Sequence, residues 1–329
     1  MALTVFLEVH LIRDCTICIT GGTGFIGAVL VGALCSHNKV IVLDNLSRNA
    51  LQSYPYADHP NLTVKVCDVL DRDLLAGSFD EADYIIHCAG IAGIKTVGQR
   101  PTYTMNVNIS GSINVYEEAR KVARAKRIIS FSTSEVFGSV ALASRESDNA
   151  VIATAGHPRW TYAVSKLAEE HLSQAYFEEY RMPMTVVRPF NVYGPGQVGE
   201  GAMKNFILQA LRNDPITIHG AGNQVRAWCY ISDMVDGVLL CMEKEEAIGQ
   251  TFNIGNARSV QTIYALASTI TRVLNSDSQI IFGPPLDAEI ELRIPCVTKA
   301  EEVLGYRAKI DLEEGIVRTA EYYIKQGLL

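Results

Sequence analysis

Tyr162 and Lys166 stand four residues apart in the stretch Y-A-V-S-K. On a helix, side chains at that spacing share one face. A phenol with an ordinary pKa near 10 is a poor base at neutral pH. A neighbouring ammonium favours the phenolate and lowers that value. A phenol so placed can take the proton of a hydroxyl undergoing oxidation. Upstream, Ser132-Thr133-Ser134-Glu135 supplies a hydroxyl, Thr133, for the same substrate oxygen and a carboxylate, Glu135, two residues on. If a strand ends here, Thr133 and Glu135 face the same side.

Oxidation needs a hydride acceptor, and the chain offers a place for one. Thr20–Gly27 reads T-G-G-T-G-F-I-G, with Gly21, Gly24 and Gly27 in a G-x-x-G-x-x-G spacing around Phe25 and Ile26. Glycines permit a tight turn, a close backbone approach to a pyrophosphate and close helix–strand packing. The N–H groups of the helix that follows then face the phosphates. Asp44, with Asn45 after it, ends the next apolar run. An acid there binds the adenosine ribose hydroxyls and repels a 2′-phosphate, which favours NAD over NADP. Arg48, close by, is the residue that works against that preference. Asp68-Val69 follow the third run. Asp68 is suited both to meet the adenine edge and to cap the next helix.

The elements around these residues alternate. Cys15–Thr20, Lys39–Leu43, Leu62–Cys67, Tyr84–Cys88, Arg127–Ser132 and Met184–Arg188 are short apolar runs. Between them Phe25–Ser36, Leu74–Ser78, Ser110–Ala125 and Thr161–Arg181 have helical spacing. Apolar strands alternating with helices predict an α/β protein, a Rossmann-type doubly wound parallel sheet covered on both faces. After Pro189 the texture changes to the glycine-rich Asn191–Gly201. Helices over Lys204–Arg212, Ser232–Met242, Ile263–Leu274 and Leu312–Lys325 follow, with strands at Ile216–His219 and Thr251–Ile254. The expected division is a dinucleotide-binding domain over 1–188, rejoined by parts of 228–260, and a smaller C-terminal substrate-binding lobe over 189–329.

Composition limits the function classes. The 329 residues carry 29 Lys and Arg against 36 Asp and Glu, a formal charge of −7. That balance weighs against a nucleic-acid binder, which needs a basic surface. No run reaches the ~18–20 apolar residues of a membrane helix. The apolar start M-A-L-T-V-F-L-E-V-H carries Glu8 and His10 and no basic leader, so it is not read as a signal peptide. Cys15 and Cys18 make a C-x-x-C without the second pair that a zinc site requires, and they fall in a strand. No metal is expected. The scattered cysteines point to a reducing, cytoplasmic setting.

Taken together these segments resemble the extended short-chain dehydrogenase/reductases, the group of nucleotide-sugar epimerases, dehydratases and decarboxylases. The resemblance is carried by T-G-G-T-G-F-I-G (20–27), Asp44, Asp68-Val69, H-C-A-G (87–90), N-I-S-G-S (108–112), S-T-S-E-V-F-G (132–138), Y-A-V-S-K (162–166), R-P-F-N-V-Y-G-P-G (188–196) and G-A-G-N-Q-V-R (220–226). It covers nearly the whole chain from about residue 15. It implies that the glycines and Asp44 bind NAD, that Tyr162 removes the proton of the sugar 4-hydroxyl, that Lys166 supports it and that Thr133 bonds the same oxygen. It further implies substrate contacts from Ser134 and Asn191, a phosphate contact from Arg226 and a diphosphate or substrate contact from Arg293. The implied partner is a UDP-linked sugar, and the implied assembly is a homodimer through the helices Ser110–Ala125 and Thr161–Arg181, with Tyr176, Phe177 and Tyr180 as surplus apolar positions.

Within that group the reaction depends on residues near C5 and C6 of the sugar. A 4,6-dehydratase usually has Asp-Glu where this chain has Ser134-Glu135, and Ser134 cannot protonate a leaving hydroxyl. Ser-Glu, with P-R-W-T-Y-A-V-S-K (158–166) and the R-I-P at Arg293, resembles the uronate decarboxylases. There Glu135 would donate or relay a proton to C5. A 4-epimerase is the alternative. A non-catalytic dinucleotide sensor is the alternative of another class, but it would be expected to lose the Tyr, the Lys or the glycine spacing.

Overall fold

The computed structural model describes residues 12–199, 201–285 and 290–328; the start of the chain discussed above, residues 1–11, lies outside them. Seven strands form one parallel sheet: β1 (Thr16–Thr20), β2 (Lys39–Asp44), β3 (Leu62–Val66), β4 (Tyr84–His87), β5 (Arg127–Phe131), β6 (Met184–Pro189) and β7 (Gln250–Ile254). Their spatial order is β7-β6-β5-β4-β1-β2-β3. The order reverses between β1 and β4, and in such sheets ligands bind at the carboxyl ends of the strands at that point. The sheet is the doubly wound α/β arrangement that the alternating pattern predicts.

Alternation along each strand feeds two cores. In β1, Ile17 and Ile19 join one cluster with the helices Phe25–Leu34 and Ile231–Glu243, while Cys18 joins the other with Tyr116 and Tyr176. Burial there pushes the Cys18 thiol up to about 12, so it packs as a small apolar group. Among the described residues no helix is long and apolar enough to cross a membrane.

The structure departs from the sequence reading in three places. The helical stretch before β5 begins well before Ser110. Ile94–Gln99 and Pro101–Met105 come first, then a π-type turn over Asn106–Gly111, then Ser112–Ala119. Polar and glycine-rich residues hid the first segments, and Pro101 at the start of the second was the available signal. The helix after β3 is Arg72–Leu75, and the Asp71 carboxylate accepts from Asp73 and Leu74 N–H at its start. Asp68 is therefore not its cap. Finally, Val140–Ser144 is a strand. It edges a four-stranded sheet with Leu292–Pro295, Val225–Ala227 and Val260–Thr262. The small lobe thus draws on residues before Pro189 as well as after it.

The helix Pro158–Tyr180 carries the Y-A-V-S-K segment and is fixed to β6 by one ion pair. Arg188 Nε and Nη2 donate to the two oxygens of Glu170 at 2.8 and 2.6 Å, with both side chains 9% exposed. Removing one partner of such a pair leaves a buried charge, which typically costs about 3–5 kcal/mol, whereas replacing both by apolar residues is often neutral. Glu170→Ala is expected to lose stability of that order in urea unfolding, and Glu170→Leu with Arg188→Met to recover most of it. A loss in Glu170→Ala below about 1 kcal/mol would show that the pair is not what docks the helix.

Candidate active site

A cleft of about 380 Å³ opens at the reversal point, walled by the glycine loop, the ends of β2 and β5, and the long helix. At its dinucleotide end, Gly21 adopts φ +68°, and a Cβ there would lie 2.5 Å from Ala89 N. A Cβ on Gly27 would lie 2.5 Å from Gly21 O. No side chain fits either position, so the loop presents bare backbone beside the opening of the helix Phe25–Leu34. Phe25 and Ile26 line the cleft there. Asp44 is 8% exposed at the end of β2. Its Oδ2 accepts from Thr23 N–H at 3.0 Å and its Oδ1 from Leu46 N–H at 2.8 Å. These bonds fix the carboxylate against the cleft and leave lone pairs for a ribose. Asn45 Nδ2 donates to Asp68 Oδ2 at 3.0 Å, and Val69 is buried beside them. Arg48 reaches across to Thr96 Oγ1 at 2.7 Å. The bare loop and the fixed acid suit a dinucleotide with an unsubstituted ribose.

At the other end Tyr162 and Thr133 meet. β5 ends at Phe131, and Thr133 begins a 3₁₀ turn over Ser134–Phe137, its Oγ1 accepting from Glu135 N–H at 3.2 Å. The turn, not strand alternation, brings Thr133 and Glu135 to one site. Tyr162 and Thr133 line the same part of the cleft. Burial pushes the Tyr162 phenol well above its ordinary value and the Glu135 charge adds to this, while Thr133 and Arg293 pull the other way. The expectation that Lys166 lowers it is not met in the protein alone. Lys166 Nζ is instead paired with Glu169 Oε2 at 2.6 Å, and both are buried.

The sequence profile of the NAD dependent epimerase/dehydratase family matches residues 17–255. The chain belongs to that family. Its cofactor is NAD. Among curated proteins, the chain is 30% identical over 315 residues to the UDP-N-acetyl-alpha-D-glucosaminuronate decarboxylase of Bacillus cytotoxicus, covering 93% of this chain and 96% of that one. It is 33% identical over 307 residues to UDP-glucuronic acid decarboxylase 5 of Arabidopsis thaliana, covering 91% and 86%. Of solved structures, the UDP-glucuronic acid 4-epimerase of Bacillus cereus with UDP-glucuronic acid and NAD superimposes with TM-score 0.85 at 28% identity, over 94% of this chain and 99% of that one. The UDP-glucose 4-epimerase of Thermotoga maritima with UDP-glucose gives TM-score 0.86 at 30% identity, over 94% and 99%.

Beyond the phenol, this family member gathers charged side chains. Arg159 Nη2 donates to Glu135 Oε1 at 3.1 Å. Arg293 is 2% exposed and donates to Gly138 O at 2.5 Å and to Ser134 Oγ at 3.3 Å. Burial lowers the Arg293 guanidinium to about 10 against the opposing pull of Glu135. The Nε of Arg159 and that of Arg293 are both buried without a hydrogen-bond partner among the described residues.

Two residues expected to contact substrate bond backbone carbonyls. Asn191, at φ +40°, donates through Nδ2 to Ala227 O at 2.9 Å. Arg226 donates to Val225 O at 2.9 Å and to Ile290 O at 2.7 Å. Both tie the strand Val225–Ala227 to its surroundings. Sequence reasoning missed Arg159 and Glu169, although each lies three positions from Tyr162 or Lys166, a spacing that shares a helix face.

Behind the cleft His87 ends β4 fully buried, between Thr20 Oγ1 at 2.7 Å and Ser112 Oγ at 2.9 Å. Burial, with the Lys166 charge adding to it, lowers its pKa to about 3 from 6.5. The unfolded chain then binds a proton that the folded one refuses, so this contribution is complete above pH 6.5 and is lost as pH falls toward 3. Wild-type stability should fall through that window, and His87→Gln should make the fall shallower by about 1.4 kcal/mol per pH unit. Equal slopes in urea titrations of the two proteins would mean that His87 is not excluded from protonation.

Proposed function

We propose that this chain is a UDP-uronate decarboxylase acting through a 4-keto sugar, with UDP-glucuronate as its substrate. The observation that carries this reading is the group formed by the half-buried Glu135 and Arg159 and the buried Arg293 beside Tyr162. Two guanidinium groups face one carboxylate, and among the described residues the Nε of each has no hydrogen-bond partner. Such a site is completed by a second carboxylate, and a uronate brings one at C5. The decarboxylase relatives support the same choice.

In this reading Gly21, Gly24 and Gly27 hold the pyrophosphate, Asp44 the ribose, and Asn45, Asp68 and Val69 the adenine side. NAD, when bound, supplies a hydride acceptor and donor at C4 of the sugar. Tyr162 takes the proton of the 4-hydroxyl, Thr133 bonds the same oxygen, and Lys166 steadies both phenol and ribose. Arg293, with Ser134 bonded to it, orients the C5 carboxylate. A ketone at C4 makes that carboxylate a β-keto acid. The C5–carboxylate bond breaks, carbon dioxide leaves, and the electron pair moves into an enolate on the C4 oxygen. Glu135 relays a proton to C5. Ser134 has no acidic proton to give a leaving hydroxyl, which disfavours dehydration.

A second reading is a uronate 4-epimerase, favoured by the similarity to the Bacillus cereus enzyme. There the same guanidinium groups would grip the carboxylate without releasing it. Mass spectrometry of products from UDP-glucuronate separates the two, since one loses carbon dioxide and the other keeps its mass. Glu135→Gln is expected to form reduced cofactor while carbon dioxide release falls by about 10²–10⁴-fold. No mass loss in wild type, with normal epimerisation in Glu135→Gln, would replace the decarboxylase with the epimerase.

The proposal includes a homodimer and a cytoplasmic setting. All eight cysteines are free, which supports a reducing compartment. Two of the aromatic residues expected at the dimer interface are already engaged. Tyr176 is 8% exposed and donates to Glu117, and Phe177 packs close to Gly249. Val164 and Tyr180, 38% and 43% exposed, remain on the long helix. Light scattering at micromolar concentration is expected to give twice the chain mass; a single chain mass would remove the dimer.

A further inference from the structure

Behind Lys166 lies a buried polar network that the steps above do not use. Glu169, fully buried, accepts from Lys166 Nζ on Oε2 at 2.6 Å and from Ser130 Oγ on Oε1 at 2.8 Å. Its protons can be placed one by one. Ser130 gives its proton to Glu169, so the Tyr116 hydroxyl, 2.6 Å away, donates to Ser130, and Ser173 donates to Tyr116 at 3.5 Å. Ser112 gives its proton to Asn108 O at 2.7 Å, so its oxygen accepts from His87 Nε2–H, and His87 Nδ1 accepts from Thr20. His87 stands 3.9 Å from Glu169 and, being neutral, brings it no charge. Glu170, the adjacent acid, is taken by Arg188. Burial pushes the Glu169 carboxyl up, and the Lys166 ammonium and Ser130 hydroxyl that donate to it pull it back toward the ionised form.

We infer that Glu169 is a positioning residue: its carboxylate anchors the Lys166 ammonium at the cleft wall and thereby sets how readily Tyr162 yields its proton. This rests on Tyr162 being the base. An ammonium has three donors. Glu169 fixes one, and the others are left beside Gly90, where a Cβ would lie 3.3 Å from Nζ. The negative charge also offsets part of the attraction that the ammonium exerts on a phenolate, and Glu169 is among the charges that push Tyr162 up. The other charges near Tyr162 are Glu135, on the turn after β5, with its partner Arg159 on the same helix as Tyr162, and Arg293, on the strand Leu292–Pro295.

Two substitutions separate anchoring from charge. Glu169→Gln keeps the size and removes the charge, while Glu169→Asp keeps the charge and shortens the reach. Both are compared with wild type and Tyr162→Phe as full-length, NAD-loaded protein. The measurements are the pH profile with UDP-glucuronate and the NAD retained per chain after desalting, which needs no turnover. Glu169→Gln is expected to shift the acid limb to lower pH by about half a unit or more. Its plateau kcat should fall on the order of 10²-fold with KM little changed, and it should retain less NAD. Glu169→Asp should lower kcat and NAD retention with the limb in place. A Glu169→Gln limb at or above the wild-type pH overturns the inference, as does wild-type kcat in Glu169→Asp, which decides alone if the Gln variant does not fold. Turnover by Tyr162→Phe would refute the base assignment instead. Wild-type NAD retention in both Glu169 variants would then overturn the anchoring itself.

Discussion

The bidentate pair between Arg188 and Glu170 is the contact on which the site depends. Glu170 lies on the helix Pro158–Tyr180, and Arg188 lies on β6. That helix also bears Arg159, Tyr162, Lys166 and Glu169. A rotation of the helix by one residue would turn all four away together, because they follow a 3–4 residue spacing on one face. Ser132, at the end of β5, donates to the same Glu170 carboxylate. One buried acid therefore registers the helix against both strands from which the site is built.

The second constraint is electrostatic. The half-buried Tyr162, Glu135 and Arg159 are brought together with the buried Arg293, so their charges act on one another more strongly than on the open surface. In the protein alone that balance holds the proton on Tyr162 and strains the charge on Arg293. A substrate carboxylate meeting the two guanidinium groups would alter both. The lobe contributes to this balance through register: Arg293 pairs with Ala141 on one side and Arg226 on the other. The strand Val140–Ser144 follows directly on the turn carrying Glu135, so the small sheet delivers Arg293 to that turn.

Much of this protein can be read from residue order alone. The apolar runs of β1, β2, β4, β5 and β6 announce a parallel sheet because strands buried on both faces must be apolar throughout. The glycine spacing and Asp44 mark the dinucleotide end because only glycine tolerates φ +68° and a 2.5 Å approach to Ala89 N. Tyr162, Lys166 and Thr133 are legible as types and spacings. Tertiary structure alone decided the rest. It showed that Lys166 is held by Glu169 and that the phenol is raised rather than lowered, since desolvation depends on what covers a group. It placed Glu135 by a capped 3₁₀ turn and paired it with Arg159. It tied Asn191 and Arg226 to backbone carbonyls, and it drew Val140–Ser144 into a sheet whose other strands lie more than eighty residues further on. These are contacts between distant segments, and no local pattern encodes which partner a polar side chain will find once the chain is packed.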